Sequence, residues 1–158
     1  MSLEELEKRI QILEDVEEIG KLMANYCYFV DSFEWDNVVS LFVDDAKADY
    51  DILGKYDEKE GIEGLFKNVI PMSGSWFAHQ ILNPVIEVDG LTAKGKWYLL
   101  CLATTSTPEG DKANWIHGKY ENEFVKQDRM WKFSSLKFRF SFICPYEDGW
   151  AKAKMPSV

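Results

Sequence analysis

The stretch Ile86-Glu87-Val88-Asp89-Gly90-Leu91-Thr92-Ala93-Lys94-Gly95-Lys96-Trp97 decides the fold class. Asp89-Gly90 is a hairpin signal set between two long strand-like runs. Upstream, the run from Ser75 to Val88 is interrupted at Asn83-Pro84. Proline has no N–H to give a ladder, so that position is a bulge or an edge. Downstream, Thr92 to Thr105 returns along the first run. Pro108-Glu109-Gly110-Asp111 turns the chain into Ala113 to Lys126, and Asp128-Arg129 turns it again into Trp131 to Cys144. The tail, Pro145 to Val158, carries Trp150 and no clear element.

The first half of the chain reads as helix. Ser2 followed by Glu5 forms a capping box, and Leu3, Leu6, Ile10 and Leu13 recur at helical spacing. Asp15 can cap a second stretch, in which Val16, Ile19, Leu22, Met23, Tyr26 and Phe29 or Val30 continue the stripe. The periodicity leaves open whether this is one helix or two. The stretch ends on Tyr26-Cys27-Tyr28-Phe29-Val30-Asp31, an apolar run closed by a carboxylate. Trp35 to Phe42 predicts a short third helix, Ala46 to Ile52 a first strand, and Glu60 to Ile70 a fourth helix closed by Pro71 and Gly74. Helices followed by long hairpin-linked strands predict one α+β domain, with the helices on one face of a curved sheet. Such a sheet makes a blind cavity, a natural small-molecule site.

Composition narrows the partners. The 158 residues suit one domain, and a 15% aromatic fraction can fill a core and still line a pocket. A formal net charge of -9 lacks the basic footprint of a nucleic-acid or anionic-membrane binder. No apolar run reaches membrane-spanning length, and the charged, helix-patterned N-terminus does not read as a signal peptide. Cys27, Cys101 and Cys144 form no C-x-x-C pair, which fits a reducing, cytoplasmic setting. No phosphate loop, nucleophile elbow or H-E-x-x-H motif is present, and the two histidines stand far apart in the sequence. The expectation is therefore chemistry without metal or cofactor.

Few residues can carry that chemistry. His79, in Trp76-Phe77-Ala78-His79-Gln80-Ile81, is either a packed core histidine or a proton-transfer group. His117, in Trp115-Ile116-His117-Gly118, reads as structural or surface. Asp31 is either a solvated helix end or a partner for His79, whose tautomer and basicity it would fix. Tyr26, Tyr50 and Tyr120 can donate phenolic hydrogen bonds or simply pack. Leu136, Phe138, Phe140 and Phe142 share one face of the last strand. Arg139 then points the other way, as a surface charge or as a partner for a carboxylate.

Taken in order, Tyr26…Asp31…Trp35-Asp36…Leu41-Phe42, Ala48-Asp49-Tyr50, His79…Asn83-Pro84-Val85-Ile86, Gly95-Lys96-Trp97-Tyr98-Leu99 and Trp131-Lys132-Phe133…Leu136…Arg139 resemble the SnoaL-like group of the nuclear transport factor 2-like superfamily. The resemblance covers roughly Asp15 to Phe142 and is nearest to the scytalone dehydratase and bile acid dehydratase branch. It implies a cone of helices on a strongly curved sheet and a cofactor-free dehydratase acting on a hydrophobic ring compound of steroid or polyketide type. The implied catalytic positions are Tyr26, Asp31, His79, Tyr50 and Arg139; Phe77, Trp97, Cys101 and Tyr120 are the implied substrate-binding positions. It also implies a homodimer or homotrimer. One departure is plain: Cys101 stands where the bile acid branch has an aspartate that pairs with its histidine. The superfamily also holds isomerases, cyclases and members that only bind, so an assembly or binding module is the alternative.

Overall fold

The computed structural model describes residues 1–152. It opens on one long helix, α1 (Leu3–Asp31), capped by the expected Ser2/Glu5 box. After α2 (Trp35–Ser40) come β1 (Phe42–Asp49), a 3₁₀ turn (Asp51–Leu53) and β2 (Lys55–Asp57). Next are α3 (Glu58–Gly64), a π turn (Leu65–Val69) and α4 (Ile70–Ser73). Four long strands complete the fold: β3 (Trp76–Asp89), β4 (Thr92–Thr107), β5 (Gly110–Gln127) and β6 (Met130–Pro145). All six strands form one sheet in the order β2-β1-β6-β5-β4-β3. Within it β1 runs parallel to β6, and the other pairs are antiparallel. This is the α+β architecture the hairpin pattern predicted.

The hairpin turns follow from their residues. Asp128 and Arg129 both take positive φ, the conformation a tight two-residue hairpin demands. Asn83 also takes positive φ, and the β3–β4 register slips between Leu82 and Val85. That slip is the bulge Pro84 required.

Several elements differ from the sequence reading. Asp15 does not start a second helix. It lies inside α1, buried, and its Oδ1 accepts from Lys126 Nζ at 2.6 Å and Trp131 Nε1 at 2.9 Å. A buried carboxylate is tolerated because it is paired and hydrogen-bonded, and those bonds pin α1 to β5 and β6. Leu3, Leu6, Ile10 and Leu13 are exposed. The first strand begins earlier than expected, at Phe42, and Tyr50 onward folds into the 3₁₀ turn. Pro71 lies at the start of α4 rather than after a helix. The π turn before it lets Ile70 N–H bond Leu65 C=O, which resets the ladder just where proline cannot donate.

The last strand changes face part-way. Gly118 pairs with Phe140 but His117 pairs with Phe142, so Ser141 is an extra residue. A one-residue bulge reverses every side chain beyond it. Phe142 therefore does not share a face with Phe138 and Phe140; it stacks on His117, with ring centroids 5.4 Å apart, on the outer face. Ile143 turns inward instead.

The core lies between α1 and the concave sheet face. Ile19, Met23, Tyr26 and Val30 of α1 meet Trp97, Tyr120, Phe124, Phe133 and Phe138. Gly118 makes room for this layer: a Cβ there would sit 2.2 Å from Phe138 Cζ. Among the described residues no helix is long and apolar enough to cross a membrane.

Three stability outcomes are expected. Gly118→Ala should lower unfolding free energy by about 2 kcal/mol, because Phe138 must leave its rotamer. Lys126→Met leaves the Asp15 carboxylate buried without its cation and should cost about 3 kcal/mol. Adding Asp15→Asn to Lys126→Met should recover part of that loss. Urea denaturation of the single and double variants reads all three.

Candidate active site

The end of α1 is placed by aromatic contacts. Beyond Asp31 the chain turns through Phe33, whose ring meets Trp35 at 5.3 Å and Phe77 of β3 at 6.0 Å. Asp31 is thereby brought against β3, the edge strand of the sheet. There it accepts the backbone N–H of His79, at 2.9 Å from Oδ2 and 3.2 Å from Oδ1. Its Oδ1 also lies 2.5 Å from His79 Nδ1. One carboxylate thus satisfies an edge N–H that would otherwise be free and fixes the orientation of the imidazole. Nδ1 is occupied, so Nε2 is the ring nitrogen left for other partners.

His79 lines a cavity of about 150 Å³ between the concave sheet face and the helical layer. Val30 and Tyr26 of α1, Phe66 of the π turn and Ile70 of α4 form one wall. Phe77, Leu99, Cys101, Ile116, Tyr120, Phe138, Phe140 and Ile143 of the strands form the other. Ile52 and Leu53 of the 3₁₀ turn also border it, and Ile52 is exposed, so this turn marks the mouth. The lining is overwhelmingly apolar, with a few convergent polar groups, as small-molecule sites are.

Three phenols are among those polar groups. The hydroxyls of Tyr26 and Tyr50 are hydrogen-bonded to each other, and the Tyr26 ring packs edge-on to Tyr120 at 6.2 Å. All three are buried. Burial pushes each phenol well above its ordinary range, so all three stay protonated, and within the Tyr26–Tyr50 pair one hydroxyl donates to the other. His79 behaves differently. Burial opposes its charging, but hydrogen bonds with Asp31 and Cys101 outweigh burial and push its pKa up to about 9.

The sequence candidates therefore divide. Tyr26, Tyr50, His79, Phe77, Cys101 and Tyr120 meet at the cavity, and Asp31 stands directly behind His79. Trp97 is not among the lining residues. Its indole fills the space over Gly95, where a Cβ would fall 2.3 Å from it, and packs edge-on to Phe124. Arg139 also lies away from the cavity, because strand alternation turns it from the face of Phe138 and Phe140. It forms a two-pronged bridge to Asp49, at 2.7 and 2.6 Å, joining β6 to β1. That guanidinium holds the Asp49 carboxyl well below the usual range. His117 sits on the outer face, and burial lowers its pKa, as does Lys119.

Sequence reasoning missed Ser73, Thr105 and Ile143, all of which border the cavity. Thr105 was within reach, since it follows Cys101 and Ala103 at strand spacing. Ile143 had no such signal, because an unannounced bulge turns it inward.

Comparison with known proteins follows from this geometry. A SnoaL-like domain matches residues 11–137. Hexachlorocyclohexane dehydrochlorinase 1 of Sphingobium indicum is 27% identical over 128 residues, 80% of this chain and 82% of that protein. The crystal structure of a hexachlorocyclohexane dehydrochlorinase, LinA type 2, superposes with a TM-score of 0.80 at 27% identity, covering 87% of this chain and 92% of that one. A scytalone dehydratase-like protein of Novosphingobium aromaticivorans shares the fold, with a TM-score of 0.76 at 21% identity over 85% of this chain and 89% of that one. Asp31, His79 and Cys101 all lie within the matched span, and the chain belongs to the SnoaL-like domain family.

Proposed function

We propose that this protein is a cofactor-independent lyase that removes water or hydrogen chloride from a hydrophobic single-ring compound. The observation that carries the reading is the 2.5 Å contact between Asp31 Oδ1 and His79 Nδ1 beside an apolar cavity. His79 Nε2 takes a proton from a ring carbon. The electrons of that C–H bond form the new double bond, and the adjacent C–X pair departs with the leaving group. Asp31 holds the imidazole in one tautomer and stabilises the imidazolium that forms. Tyr120 and whichever of Tyr26 and Tyr50 keeps its proton free of the other donate to the oxygen or halogen on which negative charge grows.

The size of the cavity favours one ring over a fused polycycle. An engineered void of about 150 Å³ in another protein holds benzene, and the cavity here has the same volume. The dehydrochlorinase relatives, by their name, act on a substituted cyclohexane. A steroid-sized substrate would require the turn at Ile52 and Leu53 to move aside.

Turnover of chlorinated or β-hydroxyketone cyclohexanes tests this reading. His79→Ala should lower kcat by on the order of 10²–10⁴, with ring-ligand binding by thermal shift retained. Asp31→Asn should give a smaller loss. Undiminished turnover in His79→Ala removes the assigned base. Ligand binding with no turnover in the unaltered protein identifies a binding module instead. Return of the abstracted proton to a different ring carbon, read by deuterium labelling, identifies an isomerase.

The raised pKa fixes two pH effects. A base works in its neutral form, so kcat/KM should climb with pH and level off above about 9. Stability runs the opposite way. The Asp31–His79 pair stabilises the fold fully below the ordinary histidine value of 6.5, and that contribution is lost as pH rises through about 9. Histidine NMR should show one of the two rings titrating near 9. In Asp31→Asn that ring should fall toward or below 6.5, because burial then acts with less opposition.

A further inference from the structure

Cys101 stands directly opposite His79 in the β3–β4 pairing. Direct antiparallel neighbours hold their Cβ atoms about 4.5–5.5 Å apart. Both side chains line the cavity, and the other nitrogen of His79 is held by Asp31. Thiol, imidazole and carboxylate therefore lie in a row, in the order of nucleophile, base and orienting acid. The Cys101 thiol donates to the Leu102 carbonyl oxygen at 3.4 Å, across the strand from the imidazole.

The other two thiols lack this setting. Cys27 and Cys144 do not line the cavity. Burial pushes the Cys27 thiol far up, with the charge of Asp31 adding to it. Burial, then Asp148, raises that of Cys144.

We infer that Cys101 is a nucleophilic site that captures a single-ring α,β-unsaturated ketone as a covalent thioether. The thiol proton passes to His79 Nε2 and Sγ bonds to the β-carbon. The displaced π pair moves onto the carbonyl oxygen, within the zone of the tyrosine hydroxyls. The resulting enolate takes the proton back from His79 at its α-carbon. Every atom of thiol and ketone is retained, and no oxidant is involved. The inference uses the same imidazole as the proposed lyase reaction but not that reaction: elimination needs no thiol, and addition needs no leaving group. It also implies that a conjugated ketone formed by elimination is able to occupy and block its own site.

The test incubates the full chain with cyclohexenone at mildly alkaline pH and follows intact mass and peptide maps. One adduct per chain, on Cys101, is expected. It should be lost in Cys101→Ser and form at least ~10-fold more slowly in His79→Ala. Cys27→Ser and Cys144→Ser should leave the rate unchanged. Near-UV circular dichroism checks that each variant is folded; should Cys101→Ser not fold, the peptide map and His79→Ala decide. An adduct on Cys27 or Cys144, no adduct at all, or an undiminished rate in His79→Ala overturns the inference. A protein that eliminates but forms no adduct loses this site and keeps its lyase activity.

Discussion

The carboxylate of Asp31 accepts from the backbone N–H of His79 and contacts its ring nitrogen at 2.5 Å. Most of what is distinctive in this protein depends on that pair of contacts. They satisfy one N–H on the free edge of β3 and fix the exit of α1. They also point one imidazole nitrogen away from the carboxylate. A helix terminus and an edge strand both leave backbone groups without partners. The Asp31 carboxylate accepts from one unpaired N–H of the edge strand and holds the imidazole in one orientation.

The long first helix is held to the sheet by carboxylates at two depths. Near its middle, Asp15 meets Lys126 and Trp131; at its end, Asp31 meets His79. The two differ in kind. Asp15 faces a lysine and an indole, and no proton need move there. Asp31 faces a group that titrates, so its pairing changes basicity as well as position. Between them Tyr26 meets Tyr50, and burial keeps both phenols protonated. The oriented imidazole and the neutral phenols thus border one apolar cavity.

The thiol of Cys101 stands opposite His79 on the cavity wall. In the bile acid dehydratase branch that the sequence resembles, an aspartate occupies this place. Here Asp31 contacts the imidazole from the helix side, and the sheet side carries sulfur. A thiol in place of a carboxylate removes a charge and adds a nucleophile.

Much of the fold was legible because it rests on local rules. Asp89-Gly90 and Asp128-Arg129 marked hairpins, Pro84 marked a bulge, and Ser2 with Glu5 marked a helix start. The apolar spacing from Ile19 to Val30 showed which face of α1 is buried, although the same stripe from Leu3 to Leu13 is exposed. Asp15 was misread because a capping residue and a buried ion-pair partner look alike until Lys126 and Trp131 arrive from far along the chain. Phe142 and Arg139 show the same limit: an extra residue at Ser141 reverses one side chain, and Asp49 decides what the other does. By itself the sequence determined the element order, the buried helix face and the short list of titratable residues, since these follow from neighbours a few positions apart. Only the tertiary structure decided that Asp31 meets His79, that Cys101 stands beside it and that Trp97 fills core. Those outcomes depend on strand register and on where a helix ends in space, and both are set by packing across the whole sheet.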